Sequence, residues 1–364
     1  MQPKYKILAD RLTDMITANL KDGIYKLPTE AELCRQYHMS RQTVRQALTL
    51  LCSQNLIVKR QGSGSYATGL SADSSSNTIG LMISSDQEYI YPELIADIRS
   101  VLSSHGLSLK LFVTGNRLIQ EREYLEEIMA KPLRGLIAEG CKSALPNPNL
   151  DLYEQLHRQK LPVIFLHGGY PALSWAVCVK DDNFYGGYLL GQYLFSQGHT
   201  RIAGLFKMDD IQGVERYQGF ITSMRDNGHM VSDDRIGWFS SAQQDALEQR
   251  QNTQFLLDFL QKQMKSCSAL ICYNDEIAYW MIKELQYAGL NIPQDIAVVC
   301  FDNSYLSELS NVRITTLTHK PHEMGTCVAN CMLKMLQGIP VSSRELPWEL
   351  VGRESASPPE APLP

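Results

Sequence analysis

The sequence predicts an α/β protein: a two-lobed body of parallel sheets with a cleft between the lobes, preceded by a small basic head of three helices and a hairpin. Three observations carry this reading. From Thr78 to Val351, short apolar runs alternate with amphipathic stretches, the rhythm of strands and helices packed on both faces of parallel sheets. That body, roughly 280 residues, exceeds one ordinary hydrophobic core and divides into two. Residues 1–68 hold ten Lys and Arg against five Asp and Glu, a net of +5 in a chain whose total is −5, which leaves −10 for the remainder. A basic head on an acidic body suits a polyanion reader joined to a module with another task.

Composition excludes several classes. The 364 residues are 44% hydrophobic and 20% charged, as in ordinary globular proteins of two or three domains. No apolar run reaches the roughly 18 residues of a membrane span, and the N-terminus lacks the apolar core of a secretory signal. Nine cysteines stand without a C-x-x-C pair, which predicts reduced thiols, a cytoplasmic location and no zinc site. No nucleophile–base pair, metal-ligand cluster or phosphate loop stands out, so the chain is expected to be no enzyme and to hold no metal or cofactor.

The head follows in order. Tyr5 to Leu20 places Ile7, Leu8, Leu12, Met15, Ile16 and Leu20 at helical spacing, and Gly23 ends that helix. A second helix starts at Thr29, an N-cap with Glu32 three residues on, as a capping box requires. His38 to Ser40 turns the chain into a third helix, with Ser40 as N-cap and Val44, Ala47, Leu48 and Leu51 on one apolar face. Arg41, Gln42 and Arg45 fall on another face. Arg and Gln read guanine and adenine bidentately in a major groove, although basic amphipathic surface helices are also common. Leu56–Val58 and Ser65–Ala67 then read as strands around the glycine-bearing tip Gln61 to Gly64, flanked by Lys59 and Arg60.

Leu27–Leu33 (Leu-Pro-Thr-Glu-Ala-Glu-Leu), Ser40–Leu48 (Ser-Arg-Gln-Thr-Val-Arg-Gln-Ala-Leu) and Gly62–Tyr66 (Gly-Ser-Gly-Ser-Tyr) resemble the winged helix-turn-helix of GntR-family regulators. The family's wing usually continues Thr-Phe-Val; Ser65, Tyr66 and Ala67 replace it here. The resemblance implies double-stranded operator DNA as partner, with Glu30, Arg41, Gln42, Thr43, Arg45, Gln61 and Gly62 toward the duplex and Lys4 on phosphate. Glu30 equally suits the dipole of a helix's first turn.

The expected boundaries are 1–68 for the head, 69–77 for a small polar linker, 78–354 for the body and 355–364 for a proline-rich disordered tail. Apolar strands are expected at Ile79–Ile83, Ser108–Val113, Gly135–Ala138, Pro162–Leu166, Ile202–Phe206, Ala269–Cys272 and Ala297–Phe301, with one closing strand at Leu346–Val351. Helices alternate with them. In such sheets ligands bind beyond the carboxyl ends of the strands. Polar residues stand there: Ser84 to Tyr91, Glu139, His167, Lys207 to Asp210, Asn274-Asp275 and Asp302-Asn303. Charged groups beside aromatic planes suit a neutral polyol. Asp182, Asp209 and Asp210 read better as helix caps.

Asp182–Gly187, Gly198–Ile202, Arg216–Phe220 (Arg-Tyr-Gln-Gly-Phe), Cys272–Glu276, Gly289–Pro293 and Phe301–Asn303 resemble the effector domain of LacI/galactose-repressor regulators, itself like periplasmic sugar-binding proteins. That family ordinarily carries a smaller head with a hinge helix. The resemblance assigns Arg216, Asp275 and Asp302 to sugar hydroxyls. The joined pair of domains, with Phe206–Gly213 and Cys272–Ile277, resembles the arabinose-responsive regulators of Gram-positive bacteria, which adds Tyr89, Glu139, His167 and Lys207 to the pocket. Tyr89 reads otherwise as a loop aromatic and His167 as a core-edge histidine. Asn303 stands where those regulators have a second Asp and is left out. The expectation is a homodimeric repressor on a palindromic operator, released by L-arabinose. Another pentose or a nucleoside is the alternative effector.

Overall fold

The computed structural model describes residues 3–21, 26–53, 56–60, 64–67, 77–86, 89–131, 133–230, 232–250 and 252–356. The expected helix end at Gly23, the wing tip with Gln61 and Gly62, residues 69–76 of the expected 69–77 linker and the tail from 357 lie outside the described residues. Asn77, the last residue of that linker, instead joins the body, its carbonyl accepting from the Ser108 amide at 2.9 Å.

In the head, helices α1 (Lys4–Lys21), α2 (Glu30–Tyr37) and α3 (Arg41–Ser53) precede the antiparallel strands β1 (Ile57–Arg60) and β2 (Gly64–Ala67). Thr29 and Glu32 form the capping box that starts α2, and His38 ends it in the left-handed region at φ 51°. The Ser40 hydroxyl accepts from the Thr43 amide at 3.2 Å and caps α3. Leu8, Leu12, Ile16, Leu33, Val44, Ala47, Leu48 and Leu51 form one core, so the apolar spacing of α1 and α3 faces inward. Ala67 buries its methyl in the same core, opposite Ile57.

The first lobe runs β3 (Thr78–Ile83), α4 (Tyr91–Ser104), β4 (Ser108–Val113), α5 (Leu118–Ala130), β5 (Gly135–Glu139), α6 (Leu150–Arg158), β6 (Val163–Leu166) and β7 (Val177–Asp181). The second runs α7 (Asn183–Ser196), β8 (Ile202–Lys207), α8 (Ile211–Asp226), β9 (Ile236–Phe239), α9 (Ser241–Arg250), α10 (Gln254–Gln263), β10 (Ala269–Cys272), α11 (Asp275–Tyr287), β11 (Ala297–Cys300), α12 (Leu306–Leu309) and β12 (Thr315–Thr318). The chain then returns: α13 (Glu323–Leu336) packs on α4, β13 (Arg344–Leu346) pairs with β7, and β14 (Glu349–Val351) pairs with β12. Among the described residues each sheet has six strands, in the orders β13-β7-β6-β5-β3-β4 and β14-β12-β11-β10-β8-β9. All pairs in these two sheets are parallel except β12–β14. Strands buried on both faces explain the unbroken apolar runs of β3, β8 and β11.

Three expectations are corrected. The single closing strand is two, one in each sheet, because Pro347 cannot donate to a ladder and the chain changes lobes there. Strands β9 and β12 were not expected: β9 is four residues broken by Gly237, and β12 is Thr-Thr-Leu-Thr, which looks polar yet is mostly buried. The tail does not begin at Ser355. Its hydroxyl donates to the Val298 carbonyl at 2.5 Å and accepts from the Thr315 amide at 2.8 Å, so Ser355 and Ala356 complete the second lobe.

Candidate functional site

A cavity of about 180 Å³ lies where the strand ends of the two lobes face each other. That is well above the ~15 Å³ one water needs, so it has room for a small molecule. Of the seven expected effector residues, Tyr89, Glu139, His167, Lys207 and Asp302 line it. Glu139 and Lys207 are the last residues of β5 and β8, His167 and Asp302 follow β6 and β11 within two residues, and Tyr89 lies in the β3–α4 loop. Tyr89, His167 and Asp302 adopt φ of 63°, 62° and 87°, a conformation that bulky L residues hold only when the surroundings enforce it.

Arg216 and Asp275 lie behind the wall, fully buried. Arg216 donates through Nε to Asn183 Oδ1 at 2.9 Å, through Nη1 to the Tyr273 carbonyl at 2.5 Å and through Nη2 to Asp302 Oδ1 at 3.0 Å. Its guanidinium also sits 4.2 Å from the Phe301 ring centre, 4.9 Å from Tyr273 and 5.7 Å from Trp348. This box is reached because α7 and α8 touch backbone to backbone. A Cβ on Gly187 would stand 2.0 Å from the Arg216 carbonyl, and one on Gly219 1.8 Å from that of Phe184. Asp302 is therefore aimed at the cavity by a buried cation, and its Oδ2 accepts from the Tyr89 hydroxyl at 2.6 Å, across the cleft. Asp275 Oδ2 accepts from the Ser304 amide at 2.5 Å, while its Oδ1 is buried without a hydrogen-bond partner among the described residues. Burial, and then the charge of Asp302, push the Asp275 carboxyl up to about 7.

The first lobe supplies a second network. Glu139 accepts from the Ser84 amide at 2.7 Å and from the Tyr91 hydroxyl at 3.1 Å, with His167 Nδ1 at 3.1 Å. Burial raises a carboxyl, but the His167 hydrogen bond and charge outweigh it and hold Glu139 below its usual range. For His167, burial is likewise outweighed by Glu139, and its pKa is raised. Lys207 pairs with Asp210 at 2.8 Å.

Of the three acids expected to cap the helix that follows them, Asp182 does so, accepting from the Tyr185 amide at the start of α7. Asp209 instead accepts from the Ser241 amide at the start of α9 and gives α8 nothing. Nor does Asp210 cap α8: its side chain makes no cap bond and faces Lys207 and the cavity. Asn303 accepts from Arg353 at 2.8 Å and has a scaffold role. Sequence reasoning missed Asn116, Asp181, Gln212 and the α9 residues Gln244, Asp245 and Glu248, all of which line the cavity. Asn116 follows β4, where the strand-end rule points; α9 was not recognised as a helix. Glu139, Asp181, Asp210, Asp245, Glu248, Glu276 and Asp302 share the wall with Lys207 and His167. Burial raises Asp181, Asp245 and Glu276, the last to about 8, which trims the carboxylate excess. Such a wall is rich in hydrogen-bond partners and electrostatically unfavourable for an anion.

In the head, Arg41, Gln42 and Arg45 are exposed and cluster in the first turns of α3, while Lys4 is exposed at the start of α1. Thr43 is half-buried, its hydroxyl 2.9 Å from that of Ser40. Glu30, at the start of α2, accepts from Arg45 Nε at 2.9 Å. Neither of its expected roles included this pair, which occupies Nε and leaves the Nη face of Arg45 outward.

Two family models match: bacterial regulatory proteins of the gntR family over residues 4–66, and the periplasmic binding protein-like domain over residues 192–356. The chain is 33% identical over 338 residues to the arabinose metabolism transcriptional repressor of Geobacillus stearothermophilus, covering 92% of each chain. It is 30% identical to the arabinose metabolism transcriptional repressor of Halalkalibacterium halodurans, covering 93% of this chain and 90% of that one. A solved periplasmic binding protein/LacI transcriptional regulator from Alkaliphilus metalliredigens, complexed with D-xylulofuranose, superposes with a TM-score of 0.64 at 22% identity, over 78% of this chain and all of that one.

Proposed function

Because this chain belongs to the family of arabinose metabolism transcriptional repressors, we propose that L-arabinose binds the interlobe cavity and releases the protein from a palindromic operator. The chain is a sugar-responsive transcriptional repressor and not an enzyme. The observation that carries the effector reading is the cavity itself: an uncharged polyol meets Glu139, His167, Lys207 and Asp302 as directional partners, with Tyr89 as an apolar cover. The proposed ligand set keeps Asp275 as the deep acceptor, through its unpartnered Oδ1, and Arg216 as the group that holds Asp302 in place. Arg41, Gln42, Thr43, Arg45 and Glu30, with Gln61 and Gly62 of the wing and Lys4 on phosphate, are the proposed operator contacts. One head reads one half-site, so a palindrome calls for a homodimer in the cytoplasm, where the operator is.

Calorimetry of the full chain against L-arabinose, D-xylose, D-ribose, uridine and L-arabinose 5-phosphate tests the cavity. L-arabinose is expected to bind and the phosphate to be rejected. Heat from the nucleoside or another pentose alone would move the effector, and binding of the phosphate would overturn the charge argument. Duplexes selected from a random-core pool are expected to be palindromic and to be released by the same sugar.

A further inference from the structure

The lobes meet at a second place that uses none of the seven expected effector residues. Asn116 of the first lobe donates through Nδ2 to Ser241 Oγ at 2.7 Å and to Asp210 Oδ1 at 3.2 Å, both in the second lobe. Beside it, Ser143 Oγ of the first lobe accepts from the Ile211 amide at 3.0 Å, and the Ala144 amide reaches the Asp209 carbonyl at 3.3 Å. We propose that Asn116 and Ser143 form an effector-independent latch that sets the balance between open and closed lobes.

Both partners are preset for this contact. Asn116 sits in the left-handed region at φ 52°, its amide donating to Thr114 Oγ1 and its Oδ1 accepting from the Lys142 amide at 2.7 Å. Thr114 is tied to the end of β3, through its amide and hydroxyl, at the Ile83 carbonyl. Opposite, Asp209 holds the Ser241 amide through both carboxylate oxygens, at 3.0 and 3.1 Å. Asp210 is the N-cap residue of α8 but gives the helix no side-chain cap, because its carboxylate faces Lys207 and Asn116. The Ile211 amide, one of the donors a helix start leaves over, is capped instead by a hydroxyl from the other lobe. Closure therefore satisfies α8, the helix that carries Arg216, and opening hands the Ile211 amide to water. The Tyr89–Asp302 bond also spans the cleft, but it joins two residues that an effector would engage. Asn116, Ser143, Asp210 and Ser241 also border the cavity, but their bonds to one another need no effector, so the latch biases the lobes with the cavity empty.

Hydrogen–deuterium exchange of the full-length, sugar-free protein tests this at the Ile211 amide. Asn116→Ala and Asn116→Gly both delete the donor, and glycine keeps the turn. Neither touches Ile211, so faster exchange there, with β3 and β8 amides unchanged, is the expected sign that the bonds open together. Ser143→Thr keeps the acceptor and is expected to exchange like the parent. Unchanged Ile211 exchange in both Asn116 variants overturns the latch. Its bearing on the sugar response rests on the effector reading: apparent L-arabinose affinity is expected to weaken about 3- to 10-fold in the same variants. A parent protein that binds no L-arabinose refutes that reading alone, since the exchange result still decides the latch.

Discussion

Two arginine–carboxylate pairs of nearly equal length sit in opposite settings. In the head, Arg45 Nε lies 2.9 Å from Glu30, with side chains 67% and 33% exposed. In the cleft, Arg216 Nη2 lies 3.0 Å from Asp302, with side chains 2% and 11% exposed. In water a pair adds little to stability, because solvent screens it and two long side chains lose freedom. At the cavity wall, the pair holds a guanidinium that is shut away from water, so removing one partner leaves the other poorly compensated. The first arginine stays available to another anion. The second is committed, and it passes its influence outward through Asp302.

The largest effect that sharpens this contrast is expected from Arg216→Ala. It leaves Asp302, the Tyr273 carbonyl and Asn183 Oδ1 without their donor and empties the aromatic box, at a cost of about 3–5 kcal/mol in chemical denaturation. A loss under 1 kcal/mol would show that the box is not the scaffold inferred here. Arg45→Ala is expected to leave thermal unfolding unchanged and to weaken specific duplex binding roughly 10- to 100-fold in gel-shift titration. Equal losses on specific and random duplexes would reduce Arg45 to a phosphate contact.

A smaller effect separates Asp275 from its neighbour. Its folded pKa, about 7, lies above the usual 3.8, so the native state holds more protons than the unfolded state between those values. The stability it contributes is present below pH 4 and declines as pH rises toward 7. Asp275→Asn is expected to flatten that decline, seen as a melting temperature that varies less between pH 5 and 8. A parallel pH profile would place the titration elsewhere. The smallest effect is expected from Glu30→Gln. It frees Arg45 Nε from its charged partner and changes duplex affinity only about 2- to 5-fold. A collapse of binding would mean that Glu30 itself meets the duplex.

The same contrast explains what the sequence made legible. The head followed from local rules: caps at Thr29 and Ser40 and the inward spacing of Val44, Ala47, Leu48 and Leu51 all act within a turn or two. In the body, long apolar strands were plain, but β9, β12 and the split at Pro347 depend on which sheet edge a short segment meets. Strand ends marked the polar stretches, the family resemblance singled out seven residues from the chain, and five of those seven line the cavity wall. That Arg216 and Asp275 stand behind it follows from the close approach of α7 and α8 and from the second lobe's interior, which spacing along the chain does not report. Asn116 and Ser143 carry no periodic or compositional signal, and their bonds across the cleft depend on where the opposite lobe comes to rest.

The chain passes between the lobes three times, after β7, after β12 and between β13 and β14. Neither lobe is thus an uninterrupted stretch: the first waits for α13 and β13, the second for β14 and Ser355. During translation the reader of DNA is finished long before the sensor, whose halves close only with the last strands. A nascent or prematurely stopped polypeptide would hold a head without the sensor that answers to sugar.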